Sequence, residues 1–231
     1  MPFDINSVEY DAKLASHLQN VLPQQGAAQR SLYSRYGKTV LDLSIIALTL
    51  PITLPLIALF AVLIAFDGGN PFYTQLRVGR GGKLFRMVKL RTMVPNADLQ
   101  LERYLADNPD ARAEWDATQK LKRDPRITLV GRILRKTSLD ELPQIFNVFT
   151  GAMSLVGPRP MMVEQTELYH GDDYYALRPG MTGFWQISDR NECNFVGRVR
   201  YDSAYRRSVS LATDLFVIAR TFVVVLRGTG Y

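Results

Sequence analysis

A chain of 231 residues, 47% of them hydrophobic, is long enough for one large domain and too apolar for a disordered polyelectrolyte. Its single cysteine, Cys193, excludes an internal disulfide framework, and two histidines far apart, His17 and His170, argue against a multi-histidine metal centre. A formal charge of +6 suits phosphorylated small molecules or anionic lipid, and without helix-turn-helix, RNP or zinc-finger spacing nucleic acid is not an expected partner.

Residues 1–32 read as a flexible, polar N-terminal segment, followed by one larger domain over 33–231. Val40 to Phe66, VLDLSIIALTLPITLPLIALFAVLIAF, carries one charge, Asp42, and is ample for a hydrocarbon core of about 30 Å. Hydropathy alone points to a spanning helix. The flanks point elsewhere: Arg30, Arg35 and Lys38 precede the segment, and Arg77, Arg80, Lys83, Arg86, Lys89 and Arg91 follow it. A spanning helix leaves one end less basic than the other. Pro51 and Pro55 interrupt the middle, and each removes a backbone donor and kinks a helix. A proline-broken, re-entrant helix over about 40–66 satisfies both observations, with a kinked spanning helix as the alternative. Asp42 is expected at headgroup level, near the point of entry.

Asp67 to Pro71 is turn chemistry. FYTQLRVG and LFRMVKLRTM alternate apolar with polar or basic residues about GRGG, which predicts a β-hairpin with a basic face for lipid headgroups or a phosphate substrate. Asn96 to Lys122 predicts two short, solvated helices broken at Asp107-Asn108-Pro109. Asp124-Pro125 then turns the chain into a short apolar segment bearing Arg126, Arg132 and Arg135.

Ser138-Leu139-Asp140-Glu141 admits two readings. As a capping box it would open a helix, although Pro143 then falls where an amide should donate, which favours a cap at Asp140. As chemistry, a carboxylate is a covalent nucleophile toward phosphorus once cations offset the repulsion between anions. A neighbouring acid can hold Mg²⁺ through oxygen. Arg135 lies five residues upstream, and Arg159 is held between Pro158 and Pro160 in SLVGPRPMM, a stiff turn suited to a phosphate clamp. Farther on, Phe184 and Trp185 suit core packing or a lipid interface. Leu211 to Leu226 predicts a buried or interfacial helix, with Asp214 and Arg220 its only charges.

Five stretches resemble, in order, the bacterial sugar transferases, the monotopic polyprenyl-phosphate phosphoglycosyl transferases. They are RYGKTVLDL, LPLIALFAVLIAFDGGNPFYTQLRVGRGGKLFRMVKLRTM, DPRITLVGRILRKTSLDELPQIFNVFTGAMSLVGPRP, LRPGMTGFWQISDRN and VVVLRGTGY, covering Tyr33 to the C-terminus. Length and ending are most similar to the exopolysaccharide-production members. The resemblance implies a mostly α monotopic membrane protein with a small β-hairpin, a re-entrant helix, and interfacial helices around an active site on the cytoplasmic face of the bacterial inner membrane. It implies Asp140 as nucleophile on a UDP-sugar, Glu141 beside it for Mg²⁺ or proton transfer, and undecaprenyl phosphate as acceptor. Asp140 and Glu141 are thus both the catalytic pair and the candidate metal ligands. It also implies phosphate contacts from Arg135, Arg159, Lys89, Arg91 and Arg190, with Tyr201, Asp202 and Tyr205 in a less defined motif. Membrane phospholipids are implied partners, and interfacial helices are compatible with a homodimer. In one departure, Leu54 precedes Pro55 where relatives often carry serine, so Thr53 or Ser44 is expected to satisfy carbonyls freed by the proline.

Two other classes use the same residues: a membrane adaptor binding lipid through the basic hairpin, and a metal-dependent phosphohydrolase acting through water.

Overall fold

The computed structural model describes residues 31–118, 121–188 and 197–226. The polar N-terminal segment up to residue 30, and Arg190 with Cys193, lie outside the described residues.

A π-helical turn, Tyr33–Gly37, runs directly into helix α1, Lys38–Ala65. Pro51 and Pro55 both fall inside this one helical run. Each lacks the amide that would reach back one turn. The Thr49 hydroxyl donates to the Ile45 carbonyl at 2.8 Å and the Ile46 carbonyl at 3.3 Å, a back-bond that bends helices. Thr53, expected to help, has a buried hydroxyl with no partner, and Thr49 bonds the carbonyls of Ile45 and Ile46 rather than those of Ala47 and Pro51, which the prolines free.

The hairpin forms as predicted. Strand β1, Phe72–Val78, pairs antiparallel with β2, Leu84–Leu90, around a 3-10 turn at Arg80–Gly82, with Tyr73 opposite Lys89 and Arg77 opposite Phe85. The helical excursion also forms, as α2, Ala97–Asp107, and α3, Pro109–Thr118. Pro109 opens α3, where its missing amide has no partner to lose. Leu101, Leu105 and Ala111 give the pair a small core of its own.

Helix α4, Leu129–Thr137, is capped by the Thr128 hydroxyl, which accepts the Gly131 amide at 2.9 Å. The first turn of α4 lies directly on the chain leaving the hairpin: a Cβ on Gly131 would fall 2.0 Å from the Thr92 carbonyl oxygen. After α4 come a 3-10 turn, Leu139–Glu141, and the short helix α5, Gln144–Phe149. Neither cap foreseen at the acid pair is made. Ser138 has φ 57°, closes α4 as its C-cap and makes no side-chain cap; Pro143, without an amide, stands before α5.

Strand β3, Ser154–Val156, pairs parallel with β4, Gly180–Thr182, flanking helix α6, Asp173–Ala176; then follow α7, Phe184–Ile187, α8, Arg198–Ser208, and α9, Leu211–Leu226. The parallel pair requires glycine, since a Cβ on Gly157 would meet the Arg178 carbonyl oxygen at 2.3 Å.

Helix α1 is fastened to this body at both ends. Near its start, Lys38 Nζ meets Asp214 Oδ2 of α9 at 2.6 Å, and Asp214 also accepts the Tyr33 and Tyr205 hydroxyls. One turn on, Asp42 accepts the Ser154 hydroxyl, the Leu155 amide and Arg178. Asp42 is 2% exposed, and its charge is met by protein partners. Near the far end, Ile57 and Ile64 pack with Leu90, Leu134 and Ile145. Between Ile46 and Ile57 no residue of α1 is buried, and Leu48, Ile52 and Leu54 are exposed.

Candidate active site

Two leucines place the acid pair. Leu139 and Leu142 flank Asp140 and Glu141, and both pack on the cluster that includes Leu90, Leu134 and Ile145. The left-handed backbone of Ser138 sets the turn's entry, a conformation that costs a non-glycine residue about 1 kcal/mol and persists where contacts over-determine it. Asn147 fixes the turn's exit. Its side-chain amide accepts the Val88 amide at 3.0 Å and donates to the Arg86 carbonyl at 2.8 Å, as a neighbouring strand would. Helix α5 is thereby stitched to the edge of β2, the strand that carries Lys89.

Lys89 faces the pair. Its Nζ lies 2.7 Å from Glu141 Oε1 and 4.0 Å from Asp140 Oδ2. Asp140 is the less exposed acid, at 14% of its side chain. Burial pushes its carboxyl up to about 6; Glu141 adds to that rise, while Lys89 and Arg135 oppose it. A carboxylate short of solvation and beside cations is a competent nucleophile for an electrophile that brings compensating charge contacts.

Arg135 is aimed by a neutral group. Its Nε donates to the Thr92 hydroxyl at 2.9 Å, and among the described residues its terminal nitrogens have no hydrogen-bond partner. Thr92 is itself fixed, since its carbonyl accepts the Thr128 amide. The fork of Arg135 is held by one edge with the other available for a phosphate.

Arg159 stands on the loop after β3, its guanidinium 5.4 Å from the centroid of the Trp185 ring, with Arg198 at 4.2 Å from the same ring. Of the aromatic pair, Phe184 packs edge-on against Tyr205, while Trp185 serves as a platform for arginines. Asp202 is buried and accepts the Tyr169 hydroxyl at 2.8 Å; burial pushes its carboxyl up to about 7. Tyr205 belongs to the lock that holds the start of α1.

Lys89, Arg135 and the two acids are thus brought together. Arg91 is turned another way: its Nη2 donates to the Ile64 carbonyl at 3.1 Å, at the C-terminal end of α1. Arg190 falls outside the described residues. Arg77, which the sequence presents only as one of several hairpin cations, is the buried arginine of the region. Its signal lies in the register: Tyr73 is opposite Lys89, and side chains two apart on a strand share a face, so Gln75 and Arg77 extend the face that holds Lys89.

Among the described residues no group of three or more histidine, cysteine or acidic side chains surrounds a common point. Mg²⁺ does not require one, because it keeps several waters and is held by one or two carboxylates plus substrate phosphates. Asp140 and Glu141, adjacent on one turn, fit that donor set, with Lys89 the present partner of Glu141.

Known proteins share this arrangement of sequence. The profile of the bacterial sugar transferases matches residues 33–228. The chain is 48% identical, over 90% of its length, to the undecaprenyl-phosphate galactose phosphotransferase of Salmonella typhimurium, and covers 44% of that protein. It is 42% identical to the exopolysaccharide production protein ExoY of Rhizobium meliloti, covering 90% of this chain and 93% of that one. It is 33% identical, over 97% of its length, to the UDP-glucose:undecaprenyl-phosphate glucose-1-phosphate transferase of Xanthomonas campestris, covering 46% of it. The chain therefore spans less than half of some curated relatives and nearly all of another. With the family's profile running across residues 33–228, the chain belongs to the bacterial sugar transferase family.

Proposed function

We propose that the protein transfers a hexose 1-phosphate from a UDP-sugar to undecaprenyl phosphate and releases UMP. The observation that carries this is Asp140, a half-buried carboxylate facing Lys89, with Arg135 also lowering its pKa, on a turn pinned by two leucines. An Asp140 oxygen attacks the phosphorus that bears the sugar. The bond from that phosphorus to the oxygen bridging the two phosphates breaks, and UMP leaves with its electron pair. The product is an acyl phosphate that joins the Asp140 carboxyl to the sugar phosphate. A phosphate oxygen of undecaprenyl phosphate then attacks the same phosphorus and frees the carboxylate, leaving a lipid diphosphate sugar. Lys89 and Arg135 offset the repulsion between carboxylate and phosphate in both steps. Asp140 and Glu141 would hold Mg²⁺, which supplies further charge neutralisation on the phosphate oxygens. The names of the Salmonella and Xanthomonas relatives support the acceptor, and point to galactose or glucose as the sugar.

The same reading places the protein at the cytoplasmic face of the bacterial inner membrane, in contact with phospholipid. What supports a return of α1 to one side is the position of its anchors. Lys38, Asp42 and Ile46 hold one end and Ile57 and Ile64 the other, all to one body, while the proline-containing stretch between them is bare and apolar. A helix crossing the bilayer would leave those two anchor sets on opposite sides of about 30 Å of hydrocarbon.

The test is UMP release from UDP-galactose and UDP-glucose with Mg²⁺ and undecaprenyl phosphate. Wild-type protein should release UMP and carry radiolabelled sugar phosphate when the acceptor is withheld, and Asp140→Asn should do neither. Turnover without a trapped label and without lipid product would favour a hydrolase; lipid binding with no turnover would favour an adaptor. Cysteines introduced before and after α1 should be labelled from one side only.

A further inference from the structure

Arg77 presents a physical problem. It is 9% exposed, and among the described residues no carboxylate pairs with it. Its Nη2 donates to Gln75 Oε1 at 2.6 Å and its Nη1 to the Pro160 carbonyl at 3.3 Å; its Nε is buried with no partner. Both acceptors are neutral. A permanently charged guanidinium with only neutral partners carries a large desolvation cost, which natural proteins offset with an anion. Its neighbourhood makes the need sharper. Pro160 follows Arg159, so the Arg77 guanidinium reaches from β1 to the loop that carries a second arginine, and burial together with Arg159 disfavours the charge on Arg77. The acid exerting an opposing pull is Glu141, whose Oε1 meets Lys89 at 2.7 Å. The loop cannot move off easily, because the Val78 amide donates to the Met161 carbonyl and the Tyr174 hydroxyl joins the Met161 amide to the Val78 carbonyl.

We propose that Arg77 forms a further phosphate subsite on the hairpin side of the acid pair, next to the loop whose Arg159 the family resemblance already implies as a phosphate contact, with Gln75 and the Pro160 carbonyl holding the Arg77 fork in place. The arrangement repeats the device seen at Arg135, where a neutral side chain takes one donor and leaves the others for a ligand. The ligand chemistry is a phosphate dianion or a phosphate ester. The source, either the UMP half of a nucleotide sugar or the phosphate of a polyprenyl lipid, follows from the transferase reading and not from the subsite itself.

The test uses the full-length chain in lipid nanodiscs, with inorganic phosphate as probe, followed by kinetics. Arg77→Gln should weaken phosphate binding about 10-fold or more, the loss of a charged hydrogen-bonding partner. Arg77→Lys, which keeps the charge and loses the fork, should fall between Gln and wild type. In turnover, a rise in KM for the UDP-sugar alone assigns the subsite to the donor, and a rise for undecaprenyl phosphate alone to the acceptor; either supports it. Phosphate affinity and both KM values unchanged, with only kcat or thermal stability reduced, would make Arg77 a tie between hairpin and loop and overturn the proposal. Equal damage by Lys and Gln would do the same. Should Arg77→Gln fail to fold, Arg77→Lys decides alone, with wild-type affinity as the overturning result. Wild-type protein that binds phosphate but releases no UMP from any UDP-sugar would sink the transferase reading and leave the subsite standing.

Discussion

At the scale of single residues, the burial of Asp140 makes its contribution to stability depend on pH. Its carboxyl, raised by burial from 3.8 to about 6, makes the folded protein hold a proton more tightly than the unfolded chain does. The stability this confers is complete below about pH 4 and lost as pH rises through about 6, so at neutral pH the ionised group is a burden. Asp140→Asn should therefore raise the unfolding free energy at pH 7.5 in the presence of a chelator, by at most about 3 kcal/mol and with a matching rise in thermal midpoint, the gain vanishing near pH 4. Thr92 is the second residue-scale prediction. Thr92→Val keeps the shape and removes the acceptor for Arg135 Nε, and should lower kcat/KM about 10-fold through KM for the UDP-sugar, with Thr92→Ser restoring it. The acids and Arg135 were legible in the sequence because they lie within six residues of one another. Arg77 was not, because what distinguishes it is a contact with Pro160, 83 positions away.

At the scale of elements, local chemistry wrote most of the structure. Gly-rich turns, strand alternation and Asn108-Pro109 foretold the hairpin and the two-helix excursion, and the apolar run foretold α9 at Leu211–Leu226. The capping box misled, because S-x-x-E describes a helix start and cannot register that the preceding helix ends on the same serine. Strands β3 and β4 were invisible at three residues each, their pairing decided by glycines that let two backbones touch. The joint between α1 and α9 is also non-local, since Lys38 and Asp214 are 176 residues apart. Either Lys38→Met or Asp214→Leu alone strands a buried charge and should cost about 3–5 kcal/mol. The double variant should recover more than half of that loss in thermal unfolding, the remainder reflecting the orphaned Tyr33 and Tyr205 hydroxyls.

At the scale of the whole molecule, the exposed apolar residues are not scattered. Most of them gather on α1, on α9 as Leu211, Leu215, Phe216, Phe222 and Val223, on α4 as Leu129 and Ile133, and on α5 as Phe146 and Phe149. Apolar surface on this scale marks contact with lipid or protein. Phe222→Trp in brominated-lipid vesicles should be quenched beyond the background of Trp115 and Trp185. Leu99→Trp, on the solvated face of α2, should add no quenched signal.

The bond from Arg91 to the Ile64 carbonyl joins the end of α1 to a point two residues from Lys89, a span of about 7 Å along an extended chain. Wherever the bilayer holds α1, the acid pair is held at a fixed height above it. On the proposed reading the helix is a gauge of depth: it would set the altitude at which a phosphate emerging from the lipid surface meets Asp140. Lengthening the chain between Arg91 and Lys89 would then raise or lower the acid pair relative to the bilayer without altering either carboxylate.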